Sequence, residues 1–194
     1  MYYVDSNVLI SYIFKTGEPY HNISQRFLED LVFVKKQKLY ASSLTLMETC
    51  SHICKKITKE GAKLIDQLQR YVDMYKDAKD KCKFLISLVT NFLKERLKIE
   101  FIDDRSLYDF VVITGNVMLP RIFKEAVELS YKISLRVKDL LHLVYAYLLS
   151  NSYGIRFFLT HDIENFGKIK DEVKQLLQIE VILLAPKQKC CTNS

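Results

Sequence analysis

Residues 2–10 read YYVDSNVLI, an apolar run up to Val4 that is followed by Asp5 and Ser6 and then by a second apolar run. This pattern predicts a short strand that ends at Val4 and a helix that begins near Asn7. The same alternation of short β-like runs and longer helical runs continues along the chain. Because parallel strands need long crossover connections, the alternation predicts an α/β fold, a three-layer α/β/α sandwich with a central parallel sheet of about five strands.

The predicted strands share a short apolar run with polar or turn-forming residues at its ends. They lie at 2–4, 38–42, 99–102, 156–160 and 180–184. The predicted helices show apolar residues three or four positions apart. They include 22–36, a segment from about residue 45, 106–117, 120–132, the segment that carries RVKDLLHLVYAYLL (136–149), and 164–177.

The middle of the chain is unusually helical. Residues 59–97 contain no proline and one glycine, and their apolar positions predict one or two long amphipathic helices. We interpret this stretch as a helical insertion. Since 194 residues suit one domain and no Ser/Gly-rich linker interrupts the sequence, we expect a single domain over 1–186 and a flexible tail over 187–194.

Composition excludes several classes of protein. With 49% hydrophobic residues, 5 Gly and 3 Pro, the chain is neither disordered nor collagenous. The longest nearly apolar run, LLHLVYAYLL, is too short to cross a bilayer, and the amino terminus lacks the pattern of a signal peptide, so we expect a cytoplasmic protein without a membrane partner. A net charge of +6 favours a polyanionic partner. The GxGxxG and Walker motifs of nucleotide-binding proteins are absent from the sequence.

Four carboxylates occupy positions that a parallel sheet would bring to one edge. Asp5 and Asp162 follow predicted strands, and Glu48 and Asp139 lie in the first turns of predicted helices. Converging carboxylates repel one another unless a cation lies between them. Oxygen ligands suit Mg²⁺ or Mn²⁺, and such ions activate water and stabilise displacement at phosphorus, which predicts hydrolysis of a phosphodiester.

Each acid also has an ordinary structural interpretation. Asp5 can cap a helix, Asp162 can initiate one, Glu48 can be a solvated helix residue, and Asp139 can pair with Arg136 or with a lysine. If all four acids serve in this way, the chain is an unrelated α/β protein without a metal site.

The segments around these acids resemble the PIN-domain family of metal-dependent ribonucleases, whose small members include the toxins of VapBC-type toxin–antitoxin pairs. The resemblance rests on four segments, VDSNVLI (4–10), SSLTLMET (42–49), VKDLLHLVYA (137–146) and FLTHDIENF (158–166). It extends from 1 to about 60 and from about 98 to 186, so the insertion is the departure from the small toxins.

The resemblance implies a metal-dependent endoribonuclease that acts on single-stranded RNA, with the first strand at the centre of the sheet and a small antitoxin protein as a partner. The implied catalytic and metal-binding residues are Asp5, Glu48, Asp139 and Asp162. Glu164, two residues after the fourth acid, would be an optional or water-mediated ligand. The resemblance leaves three biological roles open, namely that of a toxin, RNA processing and RNA decay.

Several neighbours of the acids have expected supporting roles. Ser6, Asn7 and Thr160 are candidates for orienting the carboxylates through hydrogen bonds. The candidates for binding RNA phosphates are Arg105, Arg136, Lys138 and Lys168, although single basic residues are also common as solvated surface charge. His142, one turn after Asp139, can either reach the site or pack in the core.

Two further alternatives remain open at this level. A PIN-like domain that no longer cuts would serve as an RNA-binding or assembly module, and its affinity for metal would distinguish it from a nuclease. The apolar helical surface of the insertion is compatible with a homodimer, but it is equally compatible with a larger core.

Overall fold

The computed structural model describes residues 1–16 and 18–185, so the predicted tail at 187–194 lies outside the described residues. The strands are β1 (Tyr2–Val4), β2 (Leu39–Ala41), β3 (Glu100–Phe101), β4 (Phe110–Thr114), β5 (Val117–Pro120), β6 (Phe157–Thr160) and β7 (Glu180–Leu183). The helices are α1 (Ser6–Ile13), α2 (His21–Glu29), α3 (Ser43–Glu60), α4 (Asp66–Val72), α5 (Ala78–Leu97), α6 (Arg121–Ser130), α7 (Val137–Tyr153) and α8 (Ile163–Leu177). Over these residues, no helix is both long and apolar enough to cross a membrane.

Five of the strands form one parallel sheet in the order β3-β2-β1-β6-β7. In the centre of this sheet, Tyr3 pairs with Tyr40 on one side and with Phe158 on the other. The predicted α/β fold with a five-stranded parallel sheet is therefore confirmed. Since β1 is the central strand and Asp5 is the residue that follows it, Asp5 lies at the middle of the sheet's carboxyl edge.

The sheet separates two apolar cores. Val4 joins a cluster contributed by α1 to α5, whereas its neighbour Tyr3 joins a second cluster contributed by α6, α7 and α8. Both side chains are fully buried, as expected when successive residues of a strand point to opposite faces of a covered sheet. The two clusters are the interfaces of the predicted three-layer sandwich.

The helices of the insertion belong to the first of these cores. Leu68 and Val72 of α4 and Leu85, Val89 and Leu93 of α5 are buried in the same cluster as Val4. The insertion therefore enlarges the layer that supports the central strand.

The predicted helix at 106–117 is wrong. A 3₁₀ turn at Arg105–Tyr108 leads into an antiparallel hairpin of β4 and β5, and Gly115 takes a positive φ of 52° between the two strands. The physical reason is the run of β-branched residues from Val111 to Thr114, which lose side-chain freedom in a helix and favour a strand. The glycine then allows the tight reversal.

Candidate active site

Asp5 occupies the carboxyl end of the central strand and is almost fully buried. Its backbone N–H donates to the carbonyl oxygen of Leu159 at 3.0 Å, which continues the pairing of β1 with β6. Although Asp5 is the residue that precedes α1, its side chain makes no capping hydrogen bond to that helix. The alternative interpretation of Asp5 as a side-chain cap is not what its contacts show.

The carboxylate of Asp5 is held by donors from two segments. Thr160 Oγ1 and Asn7 Nδ2 each donate to Asp5 Oδ2 at 2.8 Å, and Asn7 Nδ2 also lies 3.0 Å from Thr160 Oγ1. On the other side, Ser6 Oγ lies 3.4 Å from Asp5 Oδ1. The structure thus places all three predicted orienting residues in contact with the first acid.

Glu48, in the second turn of α3, is bound by three donors. Its Oε2 accepts from Ser6 Oγ at 2.7 Å and lies 2.7 Å from His142 Nε2, while Lys138 Nζ lies 3.1 Å from Oε1. Burial alone would raise the pKa of Glu48, but the hydrogen bond and charge of His142, with Ser6 and Lys138, outweigh burial and lower the pKa to about 2. Glu48 is therefore held as a carboxylate.

His142 connects the two acids. Its ring is buried, and Nε2 lies 3.6 Å from Asp5 Oδ1 as well as close to Glu48, while Nδ1 lies 3.3 Å from the hydroxyl of Tyr3. Because a carboxylate can only accept, Nε2 must carry the proton that it shares with Glu48. Burial lowers the pKa of His142, but the hydrogen bond with Glu48 and the charges of Glu48 and Asp5 together outweigh burial, so the pKa is raised.

Asp5, Glu48 and His142 form a compact donor set, with one ligand atom from each within 4.8 Å of the others. The sequence left His142 between a packing role and a site role. The signal that favoured the site was its one-turn spacing from Asp139, which puts both residues on one face of α7.

Asp139 and Asp162 lie at the same edge but outside this donor set. Burial raises the pKa of Asp139 first, and the charges of Asp162 and Asp5 raise it further. The described contacts include no ion pair between Asp139 and Arg136. The neighbouring Lys138 forms its ion pair with Glu48. Asp139 is thus a half-buried carboxylate in a negative environment.

Asp162 makes the contacts of a helix cap. Its Oδ1 accepts from the backbone N–H of Asn165 at 3.0 Å, and its Oδ2 accepts from Asn165 Nδ2 at 2.6 Å. Its own backbone N–H donates to Thr160 Oγ1 at 3.1 Å, which joins it to the network around Asp5. These contacts match the helix-initiating role that the sequence offered for Asp162, and its backbone contact with Thr160 keeps it at the edge that carries Asp5.

The remaining predicted residues are exposed. Glu164 lies in the first turn of α8, Arg136 immediately precedes α7, and Lys168 lies on the outer surface of α8. Arg105 is paired with Asp103 at 2.5 Å. Of the four predicted phosphate-binding residues, only Lys138 contacts one of the predicted acids in the described part of the chain.

The donor set fits a divalent cation. The carboxylates of Asp5 and Glu48 converge, and at the same edge burial, with the charges of Asp162 and Asp5, raises the pKa of Asp139. A cation between the carboxylates would relieve the repulsion of their like charges. Carboxylate oxygens suit Mg²⁺ and Mn²⁺, and His142, whose Nε2 proton is directed at Glu48, orients that carboxylate.

Comparison with known protein families finds a match over part of the chain. A family model described as PIN domain matches residues 2–82, a segment that contains Asp5 and Glu48 and ends before Asp139 and Asp162. No curated protein matches the chain. PIN domains are generally metal-dependent nucleases, which agrees with the donor set at the sheet edge. The family match and the five-stranded parallel sheet together support the assignment of this chain to the PIN-domain family.

Proposed function

We propose that this protein is an endoribonuclease that hydrolyses phosphodiester bonds of single-stranded RNA with Mg²⁺ or Mn²⁺ as its cofactor. Its catalytic and metal-binding residues are Asp5, Glu48, Asp139 and Asp162, and the structure adds His142 as the residue that positions Glu48. The observation that carries the proposal is the convergence of Asp5 and Glu48 at the centre of the carboxyl edge. Assignment to the PIN-domain family supports the nuclease class.

The chain's own residues orient the reacting groups. A bound divalent cation supplies Lewis-acid activation of water and neutralises charge on phosphate oxygens. Thr160 and Asn7 fix the carboxylate of Asp5, and Ser6 and His142 fix that of Glu48. Such hydrogen bonds limit the freedom of the acids before a substrate arrives, which lowers the cost of reaching a reactive geometry.

The finer role that we propose is that of the toxin in a toxin–antitoxin pair, with a small antitoxin protein as its partner. This part rests on the resemblance of the four acid-bearing segments to the small members of the family. We place the nuclease domain at residues 1–186, because the helices of the insertion share their core with the central strand.

The test is cleavage of an end-labelled single-stranded RNA by purified protein in Mg²⁺, Mn²⁺ or EDTA. We expect cutting by the wild type only with metal, and rates at least about 100-fold lower for Asp5→Asn and Asp139→Asn. Asp171→Asn, an exposed aspartate of α8, is the matched control and should cut like the wild type. Equal cutting by Asp5→Asn and the wild type would refute the proposed site.

The contacts of Asp162 favour a second candidate, a PIN-like module that binds RNA without cutting it. Both carboxylate oxygens of Asp162 are bound by Asn165, which leaves fewer free carboxylate oxygens at this edge of the sheet. Calorimetry with Mn²⁺ separates the two candidates. A nuclease should bind the ion through Asp5 and Glu48, whereas an inactive module should show neither saturable binding nor cleavage.

A further inference from the structure

An apolar cavity of about 390 Å³ shares two helices, α3 and α7, with the carboxylate site. Its walls come from α3, α6, α7 and the 3₁₀ turn before β4, and they include Leu44, Met47, Tyr108, Phe123, Leu141 and Tyr145. Met47 immediately precedes Glu48 in the chain, and Leu141 immediately precedes His142. The cavity and the carboxylate site are therefore built on the same two helices.

An ion pair between Lys138 and Glu48 joins α7 to α3. Lys138, Leu141 and Tyr145 are spaced three and four residues apart, so one face of α7 carries both this ion pair and two residues of the cavity wall. On α3, Leu44 and Glu48 are four residues apart and share a face in the same way. Lys138 is largely exposed, so its ammonium group can also meet an anion that enters the site.

One end of the cavity is polar. The hydroxyl of Tyr145 lies 2.5 Å from that of Tyr108 and 3.3 Å from Ser43 Oγ, and Ser43 Oγ donates to Asp104 Oδ2 at 2.5 Å. Hydroxyl groups can both donate and accept. The cavity thus combines apolar walls with a few polar groups at one end, which is the usual construction of a site for a small organic ring.

We propose that this cavity binds one unpaired nucleobase of the RNA whose phosphodiester lies at the carboxylate site, an inference that rests on the proposed function. Tyr108 and Phe123 line the cavity and are 42% and 41% exposed as residues, so both are accessible aromatic residues. Proteins recognise single-stranded RNA by stacking bases on such rings and by hydrogen bonds to base edges. A base has apolar faces and a polar edge, and it matches both the walls and the hydroxyl end, whereas an aliphatic side chain matches only the walls.

The test uses a short single-stranded RNA in which one abasic residue is moved through the sequence, so the charge stays constant while one base is lost. Binding is measured by fluorescence anisotropy in EDTA, without cleavage. For the wild type we expect one position at which base loss weakens binding by roughly 5- to 150-fold, the range for one stacked base. Phe123→Ala should abolish that position effect, whereas Phe33→Ala, an equally exposed phenylalanine that contacts Arg96, should retain it.

A second measurement does not depend on the folding of a variant. RNA with 4-thiouridine at the sensitive position should crosslink, on irradiation, to wild-type peptides that contain Tyr108 or Phe123. The inference is wrong if no abasic position weakens the binding of RNA by the wild type, or if the crosslinks map to other peptides. In that case, metal-dependent cleavage of the same RNA would show that the nuclease proposal survives. If the RNA is neither bound nor cut, both proposals fail.

Discussion

Thr160→Val tests most directly how the central acid is held. The hydroxyl of Thr160 is fully buried, donates to Asp5 Oδ2 at 2.8 Å, and accepts from the backbone N–H of Asp162 at 3.1 Å. Valine has nearly the same shape, so the substitution removes these hydrogen bonds without opening a cavity. Asp5 Oδ2 would then keep Asn7 as its remaining donor in the described network.

The expected magnitude follows from the kind of bond that is lost. A hydrogen bond to a charged group contributes about 1.5–3 kcal/mol to the free energy of unfolding. In a domain of this size each kcal/mol changes the melting temperature by about 2–4 °C, so we expect a decrease of about 3–12 °C. The misplaced carboxylate should also slow metal-dependent RNA cleavage, by up to about 100-fold for a displacement of 1 Å.

The assay is calorimetric melting in EDTA at pH 7, followed by cleavage with Mn²⁺. Thr58→Val is the matched control, because Thr58 is exposed and its hydroxyl bonds only the carbonyl of Cys54 in its own helix. That control should change stability by less than about 0.5 kcal/mol. If Thr160→Val melts and cuts like Thr58→Val, the hydroxyl of Thr160 does not hold Asp5 and our account of the network is wrong.

Three further predictions concern the charges of the site. Asp139→Asn should raise the melting temperature in EDTA at pH 7, because burial and the charges of Asp162 and Asp5 raise the pKa of Asp139 and make its ionised form unfavourable. Melting at lower pH should show that this gain in melting temperature shrinks towards pH 3.8. A gain that does not depend on pH would contradict this cause. Glu48→Gln should be less stable than the wild type above pH 4.5, because the donors around Glu48 outweigh its burial and lower its pKa to about 2. The difference in the free energy of unfolding should fade between pH 4.5 and about 2. Urea unfolding across that pH range measures the sign of this difference. Mn²⁺ at 100 times its dissociation constant should stabilise the wild type by about 2.7 kcal/mol in a thermal titration, and an equal effect on Asp5→Asn would argue against binding at this acid.

The parallel sheet was predictable because each of its strands is a short apolar run between helices, a pattern that few arrangements satisfy. The hairpin was not predicted, because Phe110, Val112 and Val117 lie in apolar runs that do not alternate with polar residues as a half-buried strand does. Local β propensity and the glycine at 115 were the signals that pointed to it, and the expectation of a helix gave them too little weight.

The part of the site that lies at the ends of the strands was predictable from the sequence. The contacts of Asp5 with Asn7 and Thr160 follow from the meeting of β1 and β6 at one edge, which the sequence pattern predicts. The surroundings of His142 were not predictable, because its contact with Glu48 joins residues 94 positions apart and depends on how α3 and α7 pack. The contacts of Asp162 with Asn165 are local, and they match the helix-initiating role that the sequence offered as an alternative.

The pairing of β1 with β6 also determines when during synthesis the site can exist. Asp5 receives its hydrogen bond from a residue 155 positions later in the chain. At about 5–20 residues per second, a ribosome needs roughly 8–31 s to make that stretch. Until then the central strand lacks one neighbour and Asp5 lacks Thr160. A nascent chain therefore carries no assembled carboxylate site, and the proposed nuclease cannot attack its own messenger RNA through this site before most of the domain has been translated.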